Sequence, residues 1–185
     1  MLKEVDRLMT KEIEKTGLIH VYTGNGKGKT TAALGLALRA AGHNMRICVI
    51  MFLKGRSKYG EKNIASQINN IEIYAYGEDD LIIGNPASKD FEEAEEAFNH
   101  ARHAIASKKY DIVILDELTH AINLGLIQLK HVMELINEKP IELELIITGR
   151  NSPSELLNVA DYITEFNEKK HPYRKGIKAR KGIEY

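Results

Sequence analysis

The sequence predicts an α/β protein in which helices cover both faces of a mostly parallel β-sheet. Short apolar segments rich in β-branched residues alternate along the chain with longer segments that have helical periodicity. Strands separated by helices require crossover connections, and such connections favour parallel pairing. The length of 185 residues suits one domain with a sizeable core and is short for two.

The first predicted element is an amphipathic helix over residues 2–16. Five apolar residues fall near one stripe of this helix: Leu2, Val5, Leu8, Met9 and Ile13. Gly17 supplies its end. The stripe could cover a neighbouring site or simply pack on the protein's own domain, and the pattern favours neither.

Strands and helices then alternate in chain order. Strands are predicted where apolar and β-branched residues form short runs, at 18–23, 46–53, 71–76, 111–115, 142–148 and 162–166. Helices are predicted where alanine, leucine and glutamate dominate or where apolar residues recur at helical spacing, at 30–41, 61–68, 89–108, 117–124, 128–138 and 152–159. Gly42 and Pro140 lie just beyond two of these helices. We therefore expect an N-terminal helix (1–16), one α/β domain (17–168) and a basic C-terminal tail (169–185).

Composition sets limits on partners and compartment. Lys plus Arg and Asp plus Glu both number 26, so the overall charge gives no reason to expect a nucleic-acid or membrane partner. The single cysteine, Cys48, lies in an apolar run and is interpreted as a buried structural thiol. The charged N-terminus lacks the apolar core of a signal peptide, and no stretch has the length of a membrane span. We expect a cytoplasmic protein.

A glycine- and lysine-rich loop between the first strand and the helix at 30–41 carries the main functional signal. It contains, in order, Gly24, Asn25, Gly26, Lys27, Gly28, Lys29, Thr30 and Thr31. Glycines let the backbone curl, so that amides and the positive helix terminus face a phosphate. Lys29 can then reach phosphate oxygens, and Thr30 can ligate magnesium. The loop predicts a nucleotide site in a P-loop NTPase-like, RecA-like fold.

The loop departs from the general pattern G-x-x-x-x-G-K-[ST]. That pattern requires glycine at position 23, where this chain has Thr23, so the loop is one residue shorter. It also carries an additional lysine, Lys27, within it. A shortened loop can hold phosphates in a different register from that of an ordinary ATPase.

Acidic and basic residues follow other predicted strands. Asp116 and Glu117 end the apolar strand at 111–115. In a magnesium–nucleotide site a carboxylate at such a strand end usually complements the phosphate loop. Either or both of these residues could therefore bind Mg²⁺ directly or through water. Arg150 and Lys54 also follow strands, and each could face the same edge as the loop or be a solvated surface residue. The tail is rich in lysine and arginine, which indicates either a solvated extension or a phosphate contact.

These residues resemble a known family. The glycine loop is similar to the shortened loop of the ATP:cob(I)alamin adenosyltransferases of the CobA/CobO/BtuR type. The similarity continues, in order, through Arg39–His43, Phe52–Gly55, Gly60–Glu61, Leu115–Thr119, Ile147–Arg150, Lys170–Pro172, Gly176–Ala179 and Gly182–Tyr185. The loop and the tail are specific to this family, whereas the acidic strand end alone is not.

The resemblance implies that the 5′-deoxyadenosyl group of ATP moves to the cobalt(I) of a reduced corrinoid and that triphosphate leaves. Cobalt(I) is itself a strong nucleophile, so no catalytic triad is needed. The resemblance implies that Lys27, Lys29 and Thr30 are catalytic. It also implies nucleotide contacts from the whole loop with Arg39, and Mg²⁺ held by Thr30 and Glu117. Arg150 and Asp116, which follow predicted strands, complete the predicted nucleotide and metal sites.

The resemblance further implies a homodimer, an electron donor such as a reduced flavoprotein, and an N-terminal helix that folds over the corrinoid. One departure stands out. Typical members carry a Phe-x-Trp pair after the glycine that matches Gly77, and those aromatics help to displace the lower cobalt ligand. This chain has Glu78-Asp79-Asp80 and then an apolar triplet at 81–83. That triplet could do the same work, or corrinoid handling could differ.

Two other functions are compatible with the sequence. A RecA-like ATPase or nucleotide kinase would cleave at the γ-phosphate and use Asp116 or Glu117 to activate the attacking group. A nucleotide-binding regulatory module would bind ATP without turnover. The sequence leaves open the preferred corrinoid, the reductant, and a role in synthesis or in salvage.

Overall fold

The computed structural model of the chain describes residues 16–55, 60–65, 67–78, 82 and 84–184. The strands in this part are β1 (Ile19–Thr23), β2 (Ile47–Met51), β3 (Ile71–Ala75), β4 (Ile112–Asp116), β5 (Glu144–Thr148) and β6 (Tyr162–Glu165). The helices are α1 (Lys29–Ala41), α2 (Gly60–Ala65), α3 (Ser88–Ala106), α4 (Leu118–Asn123), α5 (Leu129–Asn137) and α6 (Ser154–Val159). A 3₁₀-helix covers Pro172–Lys175 in the tail.

The six described strands form one sheet in the order β3-β2-β4-β5-β1-β6, and every neighbouring pair is parallel. The predicted α/β class with a parallel sheet is therefore confirmed. Parallel strands place all their carboxyl ends at one edge of the sheet, and ligands bind outside that edge. Strand β5 lies between β1, which leads into the glycine loop, and β4, which ends in the acidic pair.

Two apolar cores lie on opposite faces of the sheet because successive strand side chains point to opposite sides. In β2, Cys48 and Ile50 join one core, whereas Ile47, Val49 and Met51 join the other. Helix α1 packs small residues against the second core, and helices α3 to α6 cover the first. Both faces are thus covered by helices, which explains why β2 and β4 are buried along their whole length.

Every strand and helix predicted after residue 17 occurs, and most are one to three residues shorter than predicted. The predicted strand 46–53 stops at Met51 because the chain leaves the sheet at Leu53, whose φ is +57°. The predicted helix 61–68 ends at Ala65. The predicted helix over residues 2–16 falls almost wholly outside the described residues. Among the described helices, none is both long and apolar enough to cross a bilayer.

Candidate nucleotide site and an adjoining cavity

The glycine loop is held in place by the chain that leaves β6. The amide of Gly26 donates a hydrogen bond to the carbonyl oxygen of Phe166 at 2.6 Å, and the amide of Phe166 donates to Thr23 at 2.9 Å. A Cβ atom at Gly24 would lie 2.5 Å from the Phe166 carbonyl oxygen, and Gly24 has a φ of +95°. Glycine is therefore required there by both the backbone angle and the close approach of a second segment.

Lys29 lies at the centre of this loop. This residue is only 6% exposed, and its Nζ donates hydrogen bonds to the carbonyl oxygens of Gly24 at 2.7 Å and Gly26 at 2.9 Å. Burial lowers the pKa of Lys29, and the nearby charge of Glu117 opposes that effect. The loop thus surrounds an ammonium group, which is the arrangement that an anionic ligand of the loop requires.

Asp116 is the most buried ionisable group of the site, at 1% exposure. It accepts hydrogen bonds from the hydroxyls of Thr30 at 2.9 Å and Thr148 at 2.7 Å, and from the ammonium of Lys54 at 2.5 Å. Burial by itself lowers the pKa of Lys54, but the charge of Asp116 and the hydrogen bond to it raise the pKa overall. Asp116 therefore connects the glycine loop, β2 and β5 at the carboxyl edge of the sheet.

Glu117 is positioned by an unusual backbone. It has a φ of +61° in the left-handed region, which side-chain-bearing residues seldom adopt, and it precedes α4 as its N-cap residue. Its amide donates to the hydroxyl of Thr148 at 3.0 Å. Burial raises the pKa of Glu117, and the charge of Asp116 raises it further. The strained backbone turns this carboxylate towards the cavities beside the sheet edge.

The donor set suits a magnesium ion that shares its ligands with phosphate. Mg²⁺ in nucleotide sites is held by one or two carboxylates together with phosphate oxygens and water. Thr30, Asp116 and Glu117 supply that kind of set. Within the described residues there is no group of three or more His, Cys, Asp or Glu side chains that could hold a metal without such help.

Two cavities meet above the sheet edge. The first has a volume of about 380 Å³ and lies between the ends of β2 and β3 and helices α3 and α4. The second, about 620 Å³, lies at the glycine loop and is also lined by tail residues 182–184. Lys54, Glu117 and Arg150 line both cavities. The two spaces thus share one charged wall.

Most of the predicted site residues are brought together. The cavity at the loop is lined by Asn25, Gly26, Lys27, Gly28, Lys29, Thr30, Thr31, Glu117 and Arg150. Lys54 and Arg150 therefore face the site, which the sequence left open. Arg39 lies elsewhere: it is exposed in the last turn of α1, roughly 15 Å along the helix axis from Lys29. Its phosphate contact stays a prediction.

Two features of the site were missed from the sequence. Thr148 forms hydrogen bonds with both Asp116 and Glu117. The signal that could have found it is a hydroxyl at the end of a strand whose three preceding residues are apolar. In the sequence only the basic residues of the tail indicate a phosphate contact. The structure shows that the acidic Glu184 also contacts the loop, with its Oε1 2.9 Å from the Nζ of Lys27. No local pattern indicates that contact.

The segment that departs from the family pattern borders the smaller cavity. Glu78 and Ile82 both line that cavity, and Ile82 packs partly against the core. The carboxylate of Glu78 forms an ion pair with Lys89 at 2.5 Å. Residues 79–81 and 83 lie outside the described part of the chain.

A glycine loop between β1 and a helix, facing an acidic strand end across β5, defines a P-loop-like α/β protein of the nucleotide-binding class. Comparison with known proteins makes this specific. A family model described as "ATP:corrinoid adenosyltransferase BtuR/CobO/CobP" matches residues 15–185. The chain therefore belongs to the corrinoid adenosyltransferase family, as the resemblance predicted, and is a transferase that acts on corrinoids and ATP.

Individual relatives agree. The chain is 35% identical over 183 residues to the corrinoid adenosyltransferase of Escherichia coli (strain K12), a match that covers 99% of this chain and 93% of the relative. It is 35% identical over 186 residues to the corrinoid adenosyltransferase CobA of Salmonella typhimurium (strain LT2), with 98% and 92% covered. The corrinoid adenosyltransferase of a Sinorhizobium species is 34% identical over 183 residues, with 97% and 86% covered.

Proposed function

We propose that this enzyme transfers the 5′-deoxyadenosyl group of ATP to the cobalt(I) centre of a reduced corrinoid, in the synthesis or salvage of adenosylcobalamin. An electron pair on cobalt forms the bond to the 5′ carbon. The bond between that carbon and its oxygen breaks, and its electron pair departs with inorganic triphosphate. The protein's part is to align the reacting atoms and to stabilise the charge of the leaving group.

The observation that carries the proposal is the wall shared by the two cavities. ATP bound at the glycine loop would place its triphosphate against Lys29, with its 5′ carbon turned towards Lys54, Glu117 and Arg150. A corrinoid that enters the smaller cavity would approach the same three residues from the other side. An ATPase, whose acceptor is water, has no need for a second cavity at that point. A nucleotide kinase would bind its acceptor in such a cavity, and the reaction products distinguish it from an adenosyltransferase.

The leaving triphosphate would be stabilised by the loop. Lys29 already lies within hydrogen-bond distance of two loop carbonyls, so it would exchange those partners for phosphate oxygens without a large movement. Lys27 and the loop amides add further positive potential. Charge that develops on the bridging oxygen therefore meets donors that are already oriented.

Magnesium would be held by Thr30, Glu117 and Asp116 together with the phosphates, and it would neutralise part of the triphosphate charge. Asp116 already accepts a hydrogen bond from the hydroxyl of Thr30, so the two side chains are positioned together before any ligand binds. The half-buried Glu117 lines both cavities and supplies the carboxylate of the shared wall.

The smaller cavity would receive the part of the corrinoid that carries the cobalt. Ile82 lines it and would take the place of the missing aromatic pair in displacing the lower ligand. The homodimer and the electron donor, such as a reduced flavoprotein, remain predictions from the resemblance. Sedimentation of the purified chain tests the first, and cobalt(II) reduction by a reduced flavoprotein tests the second.

The deciding experiment supplies ATP, Mg²⁺ and chemically reduced cobalamin and follows the loss of cobalt(I) absorbance. We expect a light-sensitive adenosylated product and one intact triphosphate for each product molecule. Release of ADP and phosphate instead would indicate an ATPase or kinase, and the absence of any adenosylated product would refute the proposed reaction.

A further inference from the structure

The end of the tail lies against the glycine loop. The Nζ of Lys27 donates hydrogen bonds to the carboxylate of Glu184 at 2.9 Å and to the carbonyl oxygen of Ile183 at 3.0 Å. Lys27 and Glu184 are 157 positions apart in sequence. The tail thus supplies two oxygen atoms that accept hydrogen bonds from the ammonium group of a lysine in the glycine loop.

The carboxylate of Glu184 is held in an ionised, oriented state. Arg180 donates to it from Nε and from Nη2, each at 3.2 Å, and also from its backbone amide at 2.9 Å. The hydrogen bond from Arg180, with that from Lys27, lowers the pKa of Glu184 to about 2. At neutral pH a full negative charge thus lies beside Lys27.

This negative charge lies inside the cavity at the loop. Gly182, Ile183 and Glu184 line the same space as Lys27 and Lys29. Both a carboxylate and a phosphate accept charge-assisted hydrogen bonds from a lysine, and they repel one another at short range. A polyphosphate that approaches Lys27 therefore competes with the carboxylate of Glu184 for the same ammonium group.

We propose that the C-terminal segment, residues 180–184, is an internal competitor for the triphosphate site. Glu184 occupies Lys27 in the nucleotide-free protein, and polyphosphate binding transfers Lys27 from the carboxylate to phosphate and releases the segment. Arg180 keeps Glu184 paired after this exchange. The segment selects for ligands with enough negative charge to displace it, and its return to Lys27 favours departure of the product triphosphate.

This inference rests on the proposed function, because it requires that the loop binds the polyphosphate. The first test measures the affinity for inorganic triphosphate with Mg²⁺ by titration calorimetry. Glu184→Gln removes the competing charge and keeps the shape of the side chain. We expect Glu184→Gln to bind triphosphate about two- to fivefold more tightly than the wild type, which is the range for breaking one exposed ion pair.

The matched control is Glu138→Gln. Glu138 is an exposed carboxylate just after α5, at the opposite edge of the sheet, and lines neither cavity. Glu138→Gln changes the net charge by the same amount as Glu184→Gln. We expect it to bind triphosphate as the wild type does, which would show that tighter binding by Glu184→Gln comes from the loss of this carboxylate and not from the change in net charge.

The second test follows the segment itself by hydrogen–deuterium exchange. The amides of Ile183 and Glu184 donate to the Arg180 carbonyl at 3.2 and 2.9 Å, so they report on its order. We expect triphosphate to accelerate exchange over residues 180–184 in the wild type. Lys27→Ala should show fast exchange there without any ligand, because the segment has lost its anchor.

The outcomes separate the two proposals. If triphosphate binds the wild type but Glu184→Gln leaves the affinity unchanged or weaker, the competitor is refuted and the proposed function stands. Slower exchange over residues 180–184 on triphosphate binding would also refute it, because the segment would then close over the ligand. Failure of triphosphate to bind wild type and variants alike would overturn the competitor, and the assay for the adenosylated product would then decide separately on the proposed function.

Discussion

At the scale of single residues, the site is organised around the carboxylate of Asp116. Its two oxygens accept hydrogen bonds from Thr30, Thr148 and Lys54, which come from three different segments of the chain. A buried carboxylate without such partners would be strongly destabilising. The same contacts that satisfy Asp116 therefore fix the relative positions of the loop and the shared wall of the cavities.

Thr148→Val tests this arrangement. Valine has nearly the same shape but removes the donor to Asp116 and the acceptor for the Glu117 amide, so we expect the free energy of unfolding to fall by about 1–3 kcal/mol. Urea denaturation measures the change. Thr148→Ser keeps the hydroxyl and should retain most of the stability, and an unchanged midpoint in Thr148→Val would contradict the role.

Lys29→Ala tests the loop. Removing a preorganised donor to the leaving group should lower kcat/KM for adenosyl transfer by about 100-fold or more. The contacts of Lys29 lie within the loop, so circular dichroism should show an intact fold. Lys130→Ala is the control, since that lysine is 79% exposed on α5. Full activity in Lys29→Ala would remove the loop from the mechanism.

Glu117→Gln tests the raised pKa of Glu117. Because its folded pKa lies above the ordinary value of 4.5, the folded protein favours the protonated form, and ionisation at neutral pH costs stability. Glutamine removes that cost. We expect the variant to be more stable than the wild type at pH 7, and the difference to vanish as the pH falls below about 4.

The same substitution should lower adenosyl transfer by about 10- to 100-fold if Glu117 contributes to holding magnesium. Unfolding free energies across pH 4–8 measure the first effect, and Glu138→Gln is the control for a change of charge away from both cavities. A variant less stable than wild type at pH 7 would show that Glu117 stabilises the fold instead.

At the scale of elements, α1 connects packing to function. Ala33, Ala37 and Ala40 lie on its buried face, where small side chains allow the helix to approach the sheet closely. The first residue of the same helix is Lys29. The position of the loop lysine therefore depends on how closely α1 packs.

Ala37→Leu tests that dependence. The added side chain has no space, because Ala37 is 1% exposed, so we expect a loss of about 1–3 kcal/mol in unfolding free energy. ATP affinity should fall as well, since α1 must shift. Leu38→Gln changes the neighbouring residue, which is 60% exposed, and should alter neither quantity much. If Ala37→Leu were destabilised but bound ATP with unchanged affinity, the position of the loop lysine would not depend on how closely α1 packs.

At the scale of the whole molecule, the parallel sheet gathers the ends of β1, β2, β4 and β5 at one edge. The loop, Lys54, the acidic pair and Arg150 follow these four strands and converge there. Both cavities open at this edge because the helices cover the faces of the sheet and leave the edge accessible.

Ligand binding at that edge should stabilise the whole fold. ATP with Mg²⁺ at 100 times its Kd should add about 2.7 kcal/mol to the free energy of unfolding. A chain of this size gains about 2–4 °C in Tm for each kcal/mol. Thermal unfolding with and without ATP measures the shift, and the same addition to Lys29→Ala should give a much smaller one. Equal shifts in both proteins would place ATP elsewhere.

Much of the fold could be predicted because its signals are local. Neighbouring residues alone reveal the apolar runs of strand length, the Ala- and Leu-rich segments and the glycine loop. Each strand and helix predicted after residue 17 occurs. The burial of Cys48 follows from its apolar run, and burial raises its pKa to about 12. Element ends were less accurate, since positions such as Leu53 are set by contacts with other strands.

By itself the sequence determined the elements, the loop with its missing glycine and additional lysine, and the acidic strand end, because each depends on residues close together in the chain. Only the tertiary structure decided the strand order, the hold of Thr148 on Asp116 and Glu117, the wall shared by two cavities, and the contact of Glu184 with Lys27. Those contacts join segments far apart in sequence, and their geometry follows from how the sheet and tail pack, which no local pattern records.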